Sequence, residues 1–264
     1  MKRILILAAA MAFASSADAA DFPQYTKAPP IPQSAYSWTG FHVGGFGGYG
    51  ISNESAGIAG ANTVGNFLVG TGLVPNSGKT EARGGVVGVV AGYDYQFAPQ
   101  WVAGIEADLA YANIKGNDGR TITTAPFGFN ASLNTTVEQK LDWYGTVRGR
   151  LGYLLTPNVM LYGTGGLAYG EVKGSTTVTL ATPIKGLNGS AIGTYDQTKI
   201  GYAAGGGVEW AVHPNVVLGA QYTYIDLGTH GYGANAVVLA TPAGVNTSHK
   251  DDFHLATVKA SYRF

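Results

Sequence analysis

Cysteine is absent from this chain, and charged residues are scarce. Without cysteine the protein has no disulfide framework, and redox and thiol chemistry are excluded. Asp, Glu, Lys and Arg together make up 12% of the 264 residues, which is about half the usual share. The 16 basic and 16 acidic residues cancel, so no basic field favours nucleic acid as a partner.

Long hydrophobic runs are also missing. After the N-terminus, no uninterrupted apolar stretch reaches the roughly 18 residues of a transmembrane helix. The apolar run 4–14 follows two basic residues and precedes the small-residue sequence Ala17-Asp-Ala19, and these are the three parts of a secretory signal peptide. The run is too short for an uncleaved anchor helix, so we expect cleavage after Ala19 or Ala20.

Glycine and tyrosine, by contrast, are abundant, at 40 and 16 residues. Eight segments alternate apolar residues with small or polar ones, and this period of two places the two sets on opposite faces of a strand. A membrane barrel, with lipid outside and a polar lumen inside, accounts for the two faces. A soluble β-sandwich would carry more charge on its solvent-exposed face. The predicted strands are 38–51, 85–97, 101–115, 140–155, 159–173, 198–212, 216–228 and 252–264.

The connections between these strands alternate between short and long. The three short ones contain Pro99, Pro157 and Pro214. The four long ones are polar and cover 52–84, 116–139, 174–197 and 229–251. We therefore predict an all-β fold, an eight-stranded antiparallel transmembrane β-barrel with short periplasmic turns and four long extracellular loops. Threonine and valine in the loops predict that their hairpins continue as β-ribbon above the membrane.

The domain organisation follows from these patterns. Residues 1–19 are the predicted signal peptide, and 38–264 form the predicted outer-membrane barrel. Residues 20–37 between them are rich in proline and show no periodicity. They are typical of a flexible periplasmic leader, with a partner-binding polyproline segment as the alternative.

Aromatic residues of the lipid-facing set cluster near the strand ends. Amphipathic rings favour the headgroup zones of a membrane, so this distribution predicts two aromatic girdles. The representative residues are Trp101, Tyr153 and Trp210 on the turn side and Trp143 and Tyr222 on the loop side.

The inward-facing set contains a cluster of charges. An eight-stranded barrel is only just wide enough for side chains to fill it, so buried charges there must be paired. A salt-bridge plug is the favoured interpretation, and a polar ion path is the alternative. Paired carboxylates also suit general acid–base catalysis, but cations opposite them keep both ionised. The predicted members are Glu106, Asp108, Arg148, Arg150, Glu209 and Lys259.

Nothing else in the chain predicts catalysis or cofactor binding. The Gly-x-Gly-x-x-Gly spacing at 45–50 lies inside a strand with no following helix, so it is not a dinucleotide site. A metal or haem site at His230, His249 and His254 is conceivable, but their spacing is more typical of surface residues. We predict no catalytic residue, no metal and no cofactor.

Three motifs resemble a known family. They are Trp38-Thr-Gly-Phe-His-Val-Gly-Gly45, Leu161-Tyr-Gly-Thr-Gly-Gly-Leu-Ala168 and the closing Tyr262-Arg-Phe264. The chain is similar to alphaproteobacterial outer-membrane β-barrel surface proteins, porin-like antigens related to the OmpA-like and opacity-type barrels. The resemblance implies that Phe264, with Tyr262, is a recognition signal for the barrel-assembly machinery. His42 departs from the family, which usually has tyrosine there.

The predicted function is that of a non-enzymatic structural and surface-interaction protein of the bacterial outer membrane. Its expected partners are outer-membrane lipid and lipopolysaccharide, the barrel-assembly machinery and, through the loops, a host surface or phage. The alternatives are a narrow porin for small solutes, a haemin-binding surface protein and a lipid-modifying enzyme. No Ser–His pair near the outer rim supports the enzyme.

Overall fold

The computed structural model describes residues 36–70, 76–124, 130–183, 185, 188–238 and 241–264. The predicted signal peptide, 1–19, and the predicted leader up to residue 35 lie outside the described residues. In the described part of the chain, no helix is both long enough and apolar enough to cross a bilayer.

Eight antiparallel strands close into a barrel in chain order, with the last strand paired to the first. The predicted fold class is therefore confirmed. A short helix, α1 (Thr63–Gly70), lies between the first two strands and was not predicted. The strands are β1 Gly40–Gly60, β2 Ser77–Ala98, β3 Trp101–Thr124, β4 Ala131–Thr156, β5 Val159–Ala181, β6 Gly189–His213, β7 Val216–Val238 and β8 Thr241–Arg263.

The three short turns share one design. Each leaves two residues outside the strands, a proline followed by Gln100, Asn158 or Asn215. The carbonyl oxygen of that second residue accepts a hydrogen bond from a backbone N–H of the next strand around the barrel, at 2.8–2.9 Å. Proline has no backbone N–H to donate. It therefore fits a turn in which the contact with the neighbouring strand is made by a carbonyl oxygen.

The strands are about twice as long as the membrane requires. They contain 21 to 26 residues. A 23-residue strand, at ~3.3 Å per residue and ~40° tilt, rises about 58 Å, against an apolar band of about 25 Å. The four predicted long connections are therefore largely β-ribbon. The predicted strands stop early because the apolar alternation ends with the lipid, whereas the hydrogen-bonded ladder continues beyond it.

Among the residues whose exposure is described, the apolar part of the outer face is concentrated on the turn-side half of the barrel. The exposed large apolar side chains extend from Phe97 and Phe264 at the turn end to Tyr111 and Tyr202 near mid-strand. Among the residues whose exposure is described, Ile192 in the ribbon half is the exception. This distribution is what a lipid-embedded band predicts.

The inside of the barrel contains two apolar clusters. The turn-side cluster is built around Trp38, Val102 and Met160. The loop-side cluster includes Ile114, Leu141 and Phe253 and has Phe46 packed against it. The charged side chains described below belong to neither cluster.

One side chain of β4 lies on the opposite face from the one its alternation predicted. A strict period of two places Leu141 on the lipid-facing side with Trp143, but Leu141 is buried inside the barrel with 1% of its surface exposed. The pairing of β4 with β5 shifts between Leu141 and Trp143. Such an irregularity reverses the inside–outside alternation, and sequence alternation alone does not reveal it.

Candidate functional site

The charged interior is organised around Glu106 of β3, which has 1% of its surface exposed. Its Oε1 atom lies 3.1 Å from Nη2 of Arg148, and its Oε2 atom lies 3.2 Å from Nη1 of Arg150 and 2.9 Å from Nζ of Lys259. Glu106 and the two arginines sit on adjacent strands at paired or next-paired positions, whereas Lys259 reaches it from β8. One carboxylate therefore contacts three cations.

Two further carboxylates extend this arrangement around the wall. Asp108 is 2.6 Å from Arg148 and accepts a hydrogen bond from the Thr146 hydroxyl at 2.6 Å. Glu209 of β6 is 2.7 Å from Arg150 and 2.6 Å from Lys259. The structure thus places all six predicted cluster residues in one buried, ion-paired network.

Three members of the network were not predicted. Asp94 of β2 is 2.6 Å from Arg263 and 3.5 Å from Nε of Arg150. The His42 ring lies between two carboxylates, 3.5 Å from Asp94 and 3.5 Å from Glu106. All three residues occupy inward positions in the alternation of their strands, which is the signal that would have found them.

The network balances its charges. Asp94, Glu106, Asp108 and Glu209 supply four negative charges, and the four cations that pair with them are Arg148, Arg150, Lys259 and Arg263. A neutral total lowers the cost of burying so many ions, because every charge has an opposite charge in contact.

Tyr162 covers the network on the turn side. Its ring lies 4.4 Å from the guanidinium of Arg150 and 5.1 Å from Nζ of Lys259, both measured to the ring centroid. Both distances are within range for a cation–π interaction. Because Tyr162 also belongs to the turn-side apolar cluster, the polar and apolar layers share a boundary residue.

Trp38 fills the turn-side mouth, and it is fully buried. Its Nε1–H donates to the carbonyl of Pro157 at 3.0 Å, and its own carbonyl accepts from Nη1 of Arg263. The chain passes from the lumen into the wall at Gly40, whose φ is 148°. A Cβ there would lie 2.6 Å from the carbonyl oxygen of Phe264, so only glycine fits.

A polar triad lies on the loop side of the barrel. Asp251 of β8 accepts hydrogen bonds from Nε2 of Gln139 at 2.7 Å and from Nζ of Lys199. All three side chains are buried. The triad links β4, β6 and β8, and it was not predicted because its members are far apart in the sequence.

Little space is left beside the network. A cavity of about 20 Å³ is lined by Glu106, Asp108, Arg148, Thr223 and Lys259, among others. That volume accommodates about one water molecule. Oδ1 of Asp108 and Nε of Arg148 have no hydrogen-bond partner among the protein atoms described, and a bridging water would satisfy them.

The predicted girdle residues lie on the outer wall. Trp101 and Tyr153 pack edge to face, with ring centroids 5.2 Å apart, and Trp210 is exposed at the same end. On the loop side, Nε1 of Trp143 donates to Glu171 at 2.6 Å, and the Tyr222 hydroxyl is 2.6 Å from Nδ1 of His254.

The two residues of the proposed assembly signal, Tyr262 and Phe264, also lie on the outer wall. They pack edge to face at 5.1 Å, and both side chains are exposed. The N–H of Phe264 donates to the carbonyl of Phe41 at 2.9 Å. The end of the described chain is therefore fixed to β1 while its two rings remain accessible.

The conceivable histidine site is only partly within the described residues. His230 and His249 are opposite each other in the β7–β8 pairing, but their side chains lie outside the described residues. His254 faces Tyr222 and Tyr224. Where side chains are described, no three His, Cys, Asp or Glu residues group as a metal site.

A second group of charges lies just beyond the loop-side aromatic band. Nζ of Lys173 is 3.1 Å from both Asp142 and Glu171 and 3.7 Å from Asp196. The hydrogen bonds to Asp142 and Glu171 raise the pKa of the Lys173 amine. The pKa of Asp142 is lowered, chiefly by its hydrogen bond with Lys140. These charges mark the level at which the wall becomes polar.

Comparisons with known proteins agree with this architecture. The family model described as "Outer membrane protein beta-barrel domain" matches residues 5–264. The chain is 33% identical to the 31 kDa outer-membrane immunogenic protein of Brucella melitensis, over 100% of both chains. It is 32% identical to the 22 kDa outer membrane protein of Rhizobium leguminosarum bv. viciae, over 78% of this chain and 71% of that protein.

A solved structure is similar at lower identity. The attachment invasion locus protein Ail of Yersinia pestis is 18% identical, and the match covers 86% of this chain and 99% of that one with a TM-score of 0.32. The two sequence relatives are both named as outer-membrane proteins, and neither name describes an enzyme.

Proposed function

Since the chain belongs to the outer-membrane protein β-barrel domain family and its location is the bacterial outer membrane, we propose that it is a non-enzymatic anchor protein. In this proposal the barrel holds the chain in the membrane and contributes to envelope integrity. The ribbons above the membrane make the contacts with other surfaces. Outer-membrane lipid and lipopolysaccharide surround the apolar band.

The filled interior is the observation that carries the anchor proposal. A conducting pore needs a continuous aqueous path, but here the charge network contacts itself across the lumen and leaves a cavity for about one water. Trp38 occupies the turn-side mouth, and the loop-side apolar cluster includes Ile114 and Phe253. Ions crossing this barrel would have to break buried ion pairs, which is costly.

The length of the strands supports the surface role. The ribbons raise backbone and side chains well beyond the lipid, where another cell or a phage can reach them. The Brucella melitensis relative is named an immunogenic protein, which is consistent with exposure of the corresponding ribbons in this chain.

A narrow porin is the second candidate, because the middle of the lumen is lined by charged side chains. Planar-bilayer recordings of the full chain separate the two. We expect no reproducible channels under conditions in which a known porin inserts and conducts. Reproducible unitary currents would contradict the filled anchor and favour the porin.

Assembly is the remaining part of the proposal. Tyr262 and Phe264 would serve as the signal that the barrel-assembly machinery recognises, and their exposed, lipid-facing rings support this role. The Phe264 N–H bond to β1 suggests that the same segment completes the seam between the first and last strands.

A further inference from the structure

The barrel is closed in the membrane but opens above it. Along β6 and β7 the last pair is Tyr202 with Asp226. Beyond that point β6 continues to Gly189 and β7 continues to Val238, and no described pair joins them. Gly201 still lies against the backbone of Asp226 and Leu227 of β7, so the free strand edge on this side of β6 comprises residues 189–198.

A second opening lies on the far side of the barrel. The last pair between β2 and β3 is Ala82 with Gly116, although β3 runs on to Thr124. The ribbon region is thus divided into two sheets. We call β7-β8-β1-β2 above these points the first blade and β3-β4-β5-β6 the second blade.

The β6–β7 opening has a local structural cause. Gly228 has a φ of 86°, in the left-handed region that favours glycine. Its N–H donates to Oδ1 of Asp226 at 2.8 Å instead of joining a ladder. The pairing of β7 with β8 shifts between Asp226 and Thr229 at the same place. The local sequence therefore turns β7 away from β6.

The base of the opening is held by the buried triad. Gln139 and Lys199 come from the second blade, and Asp251 comes from the first. A buried, charge-assisted link between the blades resists sliding at their base.

The β6 edge has the properties of a docking strand. Its other side is paired with β5 along its whole length, from Leu180 with Gly189 to Val159 with Trp210. Ile192 is 71% exposed on the outer face, beyond the lipid band. Edges of this kind accept an added strand unless charge or proline blocks them.

We propose that the free edge of β6, residues 189–198, binds an extended segment of another protein by strand addition, antiparallel to β6. The exposed Ile192 would pack against an apolar or β-branched side chain of that segment. Asp196, exposed at the outer face, favours a basic residue nearby. This inference rests on the proposed surface role and names the partner class.

A second copy of this chain fits the edge less well. Two barrels standing upright in one membrane are related by an axis along the membrane normal, so their β6 edges would run parallel to each other. Parallel pairing is the slightly weaker arrangement. A segment arriving from outside the membrane is free to run antiparallel.

The test uses the full chain in phospholipid nanodiscs and a labelled peptide with the sequence of residues 172–181, the segment that pairs with β6 on its other side. We expect saturable binding by fluorescence anisotropy and new amide-exchange protection within 189–198. The double variant Ile192→Lys with Thr194→Lys should weaken binding by about tenfold or more, equivalent to ~1.4 kcal/mol. A scrambled peptide should not bind.

Asn134→Lys with Thr136→Lys is the matched control, because these residues lie on β4, which is paired on both sides at these positions and does not contact β6 there. Equal losses in the control, protection outside β6, or no binding at all would overturn the proposal. A dimer that the double variant abolishes would also overturn the proposal, because the strand added to β6 would then come from a second copy of this chain. A further measurement is the adhesion of cells to a host-cell monolayer. If adhesion requires the β5–β6 ribbon but not Ile192 and Thr194, the proposed surface role stands and the strand-addition proposal is wrong.

Discussion

At the scale of single residues, the stability of the interior depends on Glu106. This carboxylate is the shared partner of Arg148, Arg150 and Lys259. Removing one partner of a buried ion pair costs more than the pair contributes, because the remaining charge stays buried without compensation. Each of the three cations would lose one of its two or more carboxylate partners at once, and the buried network would keep an excess positive charge.

We therefore expect Glu106→Gln to lower the free energy of unfolding by about 3–5 kcal/mol, measured by urea unfolding of the detergent-folded barrel. The control is Glu81→Gln, since Glu81 pairs with Arg83 at 2.9 Å but both side chains are exposed. An exposed pair contributes about 0–1 kcal/mol. Similar losses in the two variants would contradict a central role for Glu106.

The alternation of residues predicted the six cluster members but not the complete network. Glu106, Asp108, Arg148 and Arg150 lie close together on two adjacent strands, so their proximity follows from the strand pattern. The inward positions of Asp94 and His42 follow from the alternation of their strands. Their partners, Arg263 and Glu106, lie on strands that are not adjacent to theirs, and alternation alone does not bring these residues together.

At the scale of elements, the local chemistry of Asp226, Leu227 and Gly228 determines where the barrel opens. Strand propensity predicts continuous strands up to Gly228, and the structure continues β7 beyond it. Beyond Asp226, β7 stays paired with β8 but no longer pairs with β6. Sequence periodicity does not predict this loss of one neighbouring strand. Helix α1 was missed for a similar reason, since eight residues without acidic or basic terminal residues give little helix signal.

Gly228→Ala should destabilise the region by about 1–2 kcal/mol, because a Cβ is disfavoured at positive φ. We expect faster amide exchange across the loop-side parts of β7 and β8, with little change in the membrane band. Gly57→Ala is the control, since a Cβ at Gly57 meets nothing within 4 Å. Unchanged exchange in Gly228→Ala would show that the turn is not held by its backbone conformation.

At the scale of the whole molecule, the barrel combines a lipid-facing half and a water-facing half in one continuous set of strands. Composition, turn length and alternation were sufficient to predict the strand number, the sidedness and the membrane location. These features did not predict the division of the upper half into two blades. Which polar strands pair with each other does not produce a pattern of apolar residues in the sequence.

Assembly of this molecule should depend on its closing strand. Phe264→Ala is expected to reduce the amount of inserted protein several-fold, seen as loss of the heat-modifiable band on unboiled gels of outer-membrane fractions. Phe97→Ala removes the same ring from the same turn-side zone and should insert normally. Equal insertion of both variants would argue against a recognition role for Phe264.

The hydrogen bond between Arg263 and the Trp38 carbonyl affects how the protein responds to substitutions. These residues are 225 positions apart, yet the opening and closing motifs form one contact around Asp94, which also pairs with Arg263. A substitution in either motif therefore alters the surroundings of the other, and their effects on stability should not add. The opening and closing motifs of the barrel therefore act as one structural unit, in which the effect of a substitution in one motif depends on the state of the other.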